Sequence, residues 1–174
     1  MRQLITADQI ETGVTRLAEQ IRRDFSGQPL TVLGVLTGSI ILMADLIRKL
    51  DMPLRVGLVQ ASSYRGQTTT AGDLKLNPDL LPDLRQRHVL LLDDIFDTGQ
   101  TLTALVELVQ RQQAASVRAA VLLWKEGRSQ VTAEPDYHAF RIPDEFVVGY
   151  GLDYNDEYRH LPYIAVLEPA DLGE

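Results

Sequence analysis

The sequence predicts an α/β fold: a mainly parallel, twisted sheet with helices on both faces. Two observations carry this. The segment 89–92 is four apolar residues in a row, and Leu30–Leu36 and 117–123 are also predominantly apolar. Such runs suit strands buried on both faces better than strands with one wet face. Between and before them lie segments whose apolar residues recur at helical spacing, and alternating strands and helices imply parallel connections.

The elements follow in order. Thr6 with Gln9 three residues on reads as a capping box, and Ile10, Val14, Leu17 and Ile21 form one helical stripe. Gly27 stops that helix, Pro29 follows, and Leu30–Leu36 is the first strand. Thr37-Gly38-Ser39 turns into a helix over 40–50 that is apolar almost all round, hence either buried or a subunit contact. Asp51-Met52-Pro53 breaks it, and 54–61 reads as a strand. Segment 62–76 holds Ser, Tyr, Arg, Gly, Gln and three consecutive threonines with little to bury, and reads as a mobile loop or loose hairpin. A third strand at 89–92 leads to a helix at 102–112, with Leu102, Leu105, Val106 and Val109 inward. Strands at 117–123, 146–148 and 163–167 complete the set. Ligands of such folds sit at the carboxyl ends of the strands. Thr37, Ser63, Asp93 and Lys125 are all expected just past strand ends, on one rim.

Composition narrows the function. The chain has 174 residues with 45% hydrophobic and 24% charged content, ordinary for one globular domain spanning 1–174. No cysteine is present, which excludes disulfides and thiolate nucleophiles. No apolar run is long enough for a membrane span, and residues 1–8 lack a secretion-signal pattern, so a cytoplasmic protein is expected. A net charge of −7 argues against a nucleic-acid binder. An anionic substrate must then be met by backbone amides, a few cations or a divalent metal.

The most informative run is Val89 through Thr101. Its apolar strand ends in Asp93 and Asp94, followed by Asp97 and by Thr98-Gly99-Gln100-Thr101, which opens a helix. Strand, acids, small-residue turn and helix start form an order of parts suited to a phosphorylated sugar. Turn amides and the helix N-terminus hold the phosphate, and acids reach the hydroxyls. Three carboxylates within five positions repel one another, so a fold that retains them has a use for them. The plainer reading is a solvated turn with Asp97 as a helix cap.

These residues resemble the type I phosphoribosyltransferases, and within them the hypoxanthine-guanine phosphoribosyltransferases. The run 93–101 is similar to their phosphoribosyl-pyrophosphate signature, and Leu36-Thr37-Gly38-Ser39 with 43–46 to their pyrophosphate loop. Ser62-Ser63-Tyr64 begins a segment like their flexible catalytic loop. The stretch 146–155, with Arg159, is like their purine-side segment (about 146–168), which narrows the likeness to the 6-oxopurine branch. Two positions depart from the pattern: Thr37 stands where a basic residue is frequent, and Asp93 where Glu is usual.

The resemblance implies a small hood built from the terminal segments, and transfer of a 5-phosphoribosyl group from phosphoribosyl pyrophosphate to a 6-oxopurine, with Mg2+. It implies Asp97 beside purine N7 as the acid–base group, with Ser63 and Tyr64 on the closing loop. Thr98, Gly99, Gln100 and Thr101 would hold the 5′-phosphate, and Asp93 and Asp94 the ribose hydroxyls, directly or through metal. Leu36, Thr37 and Gly38 would meet pyrophosphate through a cis peptide, joined by Arg159. Lys125 would donate to the 6-oxo group, Phe146 would stack on the base, and the backbone of Val147 would meet its edge. Asp153 would bind magnesium. Plainer readings stand beside these: a strand-end lysine, a core Phe146 and Val147, a turn-capping Asp153, a solvated Arg159. The same fold used as an RNA-binding regulator, or a preference for xanthine, are the alternatives. Relatives imply a homodimer or homotetramer.

Overall fold

A computed structural model describes residues 1–60, 77, 80–168 and 171. The expected loop at 62–76, with Ser63 and Tyr64, lies outside the described residues. The elements are β1 (Arg2–Ile5), α1 (Ala7–Asp24), β2 (Leu30–Leu36), α2 (Ile40–Lys49), β3 (Leu54–Gln60), β4 (His88–Phe96), α3 (Gln100–Gln110), β5 (Ser116–Lys125), β6 (Tyr137–Ile142), β7 (Val147–Val148) and β8 (Ile164–Val166).

Five strands form a parallel sheet in the order β3-β2-β4-β5-β6. Its central strands are apolar on both sides because helices cover both faces. Val32, Leu90, Leu92 and Leu122 pack with Val14 and Leu17 of α1 and Leu42 and Leu46 of α2. Their strand neighbours Leu33, Val89, Leu91 and Val121 pack with Leu102, Leu105 and Val109 of α3. The two chain ends meet in a separate antiparallel sheet, β1-β8-β7, which forms the hood.

Three expectations need correction. The acids do not follow the strand: β4 runs on through Asp93 and Asp94 to Phe96, because β5 keeps pairing with it (Asp93 with Val121, Ile95 with Leu123, Phe96 with Trp124). Lys125 is likewise the last residue of β5. In α2 only Leu42 and Leu46 are buried, and Ile40 and Ile41 are 39% and 38% exposed, so the helix is covered on one face within this chain. Strands β1 and β6 were not expected. Among the described residues no helix is long and apolar enough to cross a membrane.

From β2 the chain passes through α2 to β3 on one side, and β4 then lies on the other side of β2. The β2–α2 and β4–α3 turns diverge at this reversal and leave a crevice at the carboxyl edge.

The first helix carries the capping box its sequence announced. Gln9 N donates to Thr6 Oγ1 at 3.2 Å, and Thr6 N donates to Gln9 Oε1 at 2.8 Å. Replacing Thr6 by Ala is expected to cost about 1 kcal/mol. Urea denaturation should show a lower midpoint with an unchanged slope; an unaltered midpoint would mean that the box contributes nothing to stability.

Candidate active site

The site is assembled from four segments at the carboxyl edge. On β4, Asp93 Oδ1 accepts from Asp94 N at 2.9 Å. Burial raises the proton affinity of both carboxyls. Asp93 is pushed well above the ordinary range by desolvation and then by repulsion from Asp94. Asp94 is raised by desolvation, which hydrogen bonds from Asp93 and the Ile95 backbone and the charge of Arg159 oppose.

The turn after β4 is a donor cup. Gly99 has φ +83°, and a Cβ there would lie 2.5 Å from Val131 Cγ2 and 2.6 Å from Phe96 Cζ, so only glycine fits. It is also the N-cap of α3 and has no side chain to cap that end; the side-chain contact there is long, Gln100 N donating to Thr98 Oγ1 at 3.5 Å. The amides opening α3 face the same edge as the acids, an arrangement that attracts anions. Gln130 N donates to Thr98 O at 2.9 Å, and Gln100 Nε2 to Gln130 Oε1 at 2.8 Å, so the β5–β6 loop braces the turn.

The β2–α2 turn closes the crevice from the other side. The Leu36–Thr37 peptide is cis, as the resemblance implied. Gly38 lies so close to Asp94 that a Cβ would fall 1.6 Å from Asp94 Oδ2. Thr37 is exposed.

The fourth segment starts before β7. Phe146 is 53% exposed and meets Tyr154 edge-on at 5.6 Å, which leaves a ring face open, whereas Val147 is buried. Gly151 has φ +102°, and a Cβ there would stand 2.1 Å from Gly38 O. Arg159 Nη1 donates to Gly151 O at 2.6 Å, and its Nη2 pairs with Asp153 Oδ1 at 2.8 Å. Asp153 Oδ2 also accepts from Asp156 N at 2.9 Å. Tyr150 Oη donates to Asp45 Oδ2 at 2.6 Å and ties this segment to α2; desolvation, then that bond, raises its phenol.

Beyond the turn stands a charged group that the motifs only half revealed. Lys125, 9% exposed, has Nζ 3.6 Å from Asp97 Oδ2 and 3.6 Å from Asp144 Oδ1. Arg128 Nε donates to Asp97 Oδ1 at 2.9 Å. Asp97 and Lys125, 28 positions apart by number, thus meet across the β4–β5 boundary. Arg128 and Asp144 lie outside the sequence motifs, and Asp45 and Tyr150 lie inside two of them without a role assigned there. Only Arg128 carried a weak signal, a second cation three residues past Lys125. Among the described residues no three or more His, Asp or Glu side chains converge as a ready metal site.

A family model, the phosphoribosyl transferase domain, matches residues 3–155. A hypoxanthine-guanine phosphoribosyltransferase of Streptococcus pneumoniae (strain R6) is 42% identical over 165 residues, covering 95% of this chain and 92% of the relative. The crystal structure of a hypoxanthine phosphoribosyltransferase from Staphylococcus aureus superposes with a TM-score of 0.90 at 39% identity, covering 97% of this chain and 92% of that one. A hypoxanthine-guanine phosphoribosyltransferase from Bacillus anthracis, with a HEPES molecule in its active site, gives 0.90 at 38% identity, over 97% and 99% of the two chains.

The buried acid pair makes a prediction for the unliganded protein in EDTA. Both carboxyls hold a proton more tightly folded than unfolded. Folding therefore loses stability as pH rises from the ordinary carboxylate range through their raised values. Asp93→Asn removes the repulsion and one desolvated charge. It should unfold at a higher temperature than the wild type at pH 7, with the gap closing as pH falls toward 4.5. A gap that widens on acidification would contradict this.

Proposed function

This chain belongs to the phosphoribosyl transferase family, and from that premise we propose that it moves the 5-phosphoribosyl group of phosphoribosyl pyrophosphate onto N9 of hypoxanthine or guanine. The products are the corresponding 6-oxopurine nucleotide and pyrophosphate, a step of purine salvage. One observation carries the reading most directly. The carboxylate pair of β4 runs directly into the Gly99 turn that opens α3, Asp97 in that turn pairs with Lys125 Nζ at 3.6 Å, Lys125 in turn faces Asp144, and two residues beyond Asp144 stands the 53% exposed Phe146.

In this account the amides and hydroxyls of Thr98, Gly99, Gln100 and Thr101 hold the 5′-phosphate, with the α3 dipole adding to the attraction. Asp93 and Asp94 accept the ribose hydroxyls as donors, which offsets the unfavourable burial of two neighbouring anions. Leu36, Thr37 and Gly38 offer amides to the pyrophosphate, and Arg159 a guanidinium. Thr37 supplies no cation there, so Arg159 carries more of that work. The base stacks on Phe146, meets the Val147 backbone at its edge, and receives a hydrogen bond from Lys125 at its 6-oxo group. A cation at that place disfavours the 6-amino group of adenine.

The N9–C1′ bond forms as the C1′–O bond to pyrophosphate breaks, the electron pair leaving with the oxygen. The imidazole-ring proton at N7 passes to Asp97. Ser63 and Tyr64 would close over the reacting atoms and exclude water, which competes for the activated sugar.

Magnesium fits this donor set. Two desolvated, mutually repelling carboxylates favour a cation, and Asp153 retains lone pairs beyond its bonds to Arg159 and Asp156. Asp93 and Asp94 would hold it beside the ribose hydroxyls, and Asp153 through or beside the pyrophosphate oxygens, two places rather than one cluster, with substrate oxygens and water as the remaining ligands, as this ion prefers. Bound there, it would supply charge neutralisation of the leaving pyrophosphate.

The reading extends to setting and assembly. A cytoplasmic enzyme is the natural place for salvage chemistry, and a homodimer or homotetramer would cover Ile40 and Ile41, which α2 leaves 39% and 38% exposed.

Two measurements test the assignment. Turnover with phosphoribosyl pyrophosphate across hypoxanthine, guanine, xanthine and adenine should favour the first two; a preference for adenine would overturn the role of Lys125. Asp97→Asn should lower kcat by about 10²- to 10⁴-fold, the usual worth of positioned acid–base help. Near-complete retention of turnover would remove Asp97 from the chemistry.

A further inference from the structure

Arg128 belongs to none of the sequence motifs, yet it makes the tightest contact to Asp97 among the two cations that face it. Its Nε donates to Asp97 Oδ1 at 2.9 Å, while Lys125 Nζ stands 3.6 Å from Asp97 Oδ2. Asp144 closes the group: its Oδ1 is 3.6 Å from Lys125 Nζ and its Oδ2 is 3.6 Å from Arg128 Nη1. The four side chains form a ring of alternating sign contributed by the β4–α3 turn, β5, the β5–β6 loop and the β6–β7 loop.

The distances in that ring are unequal, and the inequality is informative. Only the Arg128–Asp97 contact is a hydrogen bond; at 3.6 Å the lysine feels both carboxylates without committing a proton to either. The rotation of the Asp97 carboxylate is therefore set by Arg128. Asp97 Oδ2 and Lys125 Nζ keep their acceptor and donor capacity for an incoming molecule.

The loop that presents Arg128 is itself held. Gln130 N donates to Thr98 O at 2.9 Å, and Val131 Cγ2 lies where a Cβ on Gly99 would go. The loop carrying Arg128 is thus tied to the same turn that would bind phosphate, and the Nε–Oδ1 hydrogen bond orients its guanidinium on Asp97.

We propose that Arg128 is a positioning residue for the transfer reaction: it occupies Oδ1 of Asp97, aims Oδ2 at the purine ring proton, and with Asp144 holds Lys125 centred for the 6-oxo group. This deepens the proposed function and rests on it. Partly exposed ion pairs add little to stability, so the arrangement matters for orientation and charge at the site rather than for holding the fold.

The charges facing Asp97 are Lys125 and Arg128, with Asp144 behind them and Asp93 and Asp94 upstream on β4. Removing the guanidinium leaves Oδ1 of Asp97 without its hydrogen-bond donor and frees the carboxylate to rotate onto Lys125. The test is kcat and KM for hypoxanthine, measured separately at saturating phosphoribosyl pyrophosphate and magnesium, for wild type, Arg128→Gln and Arg128→Lys, with thermal unfolding as a check of folding. Arg128→Gln should lose roughly 10- to 100-fold in kcat, the order expected when a reacting group is misaimed, with KM for hypoxanthine changed much less. Arg128→Lys should recover only part of the rate, because an ammonium restores charge without the planar fork. A folded Arg128→Gln with wild-type kcat, or one whose loss lies wholly in KM, would overturn the inference while leaving the proposed function standing. A folded wild-type chain inactive on every 6-oxopurine would overturn the function, and this inference with it.

Discussion

The Asp94 side chain and the Gly151 backbone close on Gly38 from two sides and leave no room for a side chain there. Asp94 presses its carboxylate against the Gly38 Cα, where an added Cβ would lie 1.6 Å from Oδ2. From the other side, Gly151 approaches so closely that its own Cβ would stand 2.1 Å from Gly38 O. The β2–α2 turn is thereby wedged between the acid strand and the segment carrying Arg159 and Asp153. Everything proposed for the crevice depends on that wedge. It sets the distance between a phosphate-binding turn on one side of the sheet reversal and a group of backbone amides on the other.

The same wedge has an electrostatic cost. Asp93 and Asp94 sit side by side, half-buried, and desolvation lifts the proton affinity of each. Arg159 offsets part of this for Asp94 while committing one Nη1 donor to Gly151 and one Nη2 donor to Asp153, which leaves further N–H groups for an anion. An arrangement of this kind is unfavourable alone and relieved by a ligand that brings hydroxyl donors and a cation, a pattern in which stability is traded for function. At the opposite end of the crevice the charges balance instead: two cations and two anions surround the place proposed for the base.

Much of this was legible in the sequence because it is local. The capping box of α1, the buried runs of β2, β4 and β5, and the turn through Gly99 each depend on neighbours within a few positions. What could not be read depends on partners far along the chain. β1 is four residues long and exists by pairing with β8, more than 150 positions away. β6 is an edge strand whose mixed sequence is satisfied by non-local contacts, among them Arg141 over the Trp124 ring at 4.2 Å. The continuation of β4 through Asp93 and Asp94 is enforced by β5, against the poor strand preference of aspartate. In the site, the run 93–101 was legible from its order of strand, acids and turn and the other motif residues from the family resemblance, whereas Arg128 and Asp144 depend on the β5–β6 and β6–β7 loops folding over Asp97.

The central claim is a cup of amides at residues 98–101 fitted to a sugar phosphate, with the paired acids of β4 at its lip. A crystal structure of the protein soaked with ribose 5-phosphate tests it most directly. The account predicts the phosphate within hydrogen-bonding reach of those amides and the ribose hydroxyls against Asp93 and Asp94. Sugar phosphate bound elsewhere, with the turn at 97–101 left empty, would contradict it.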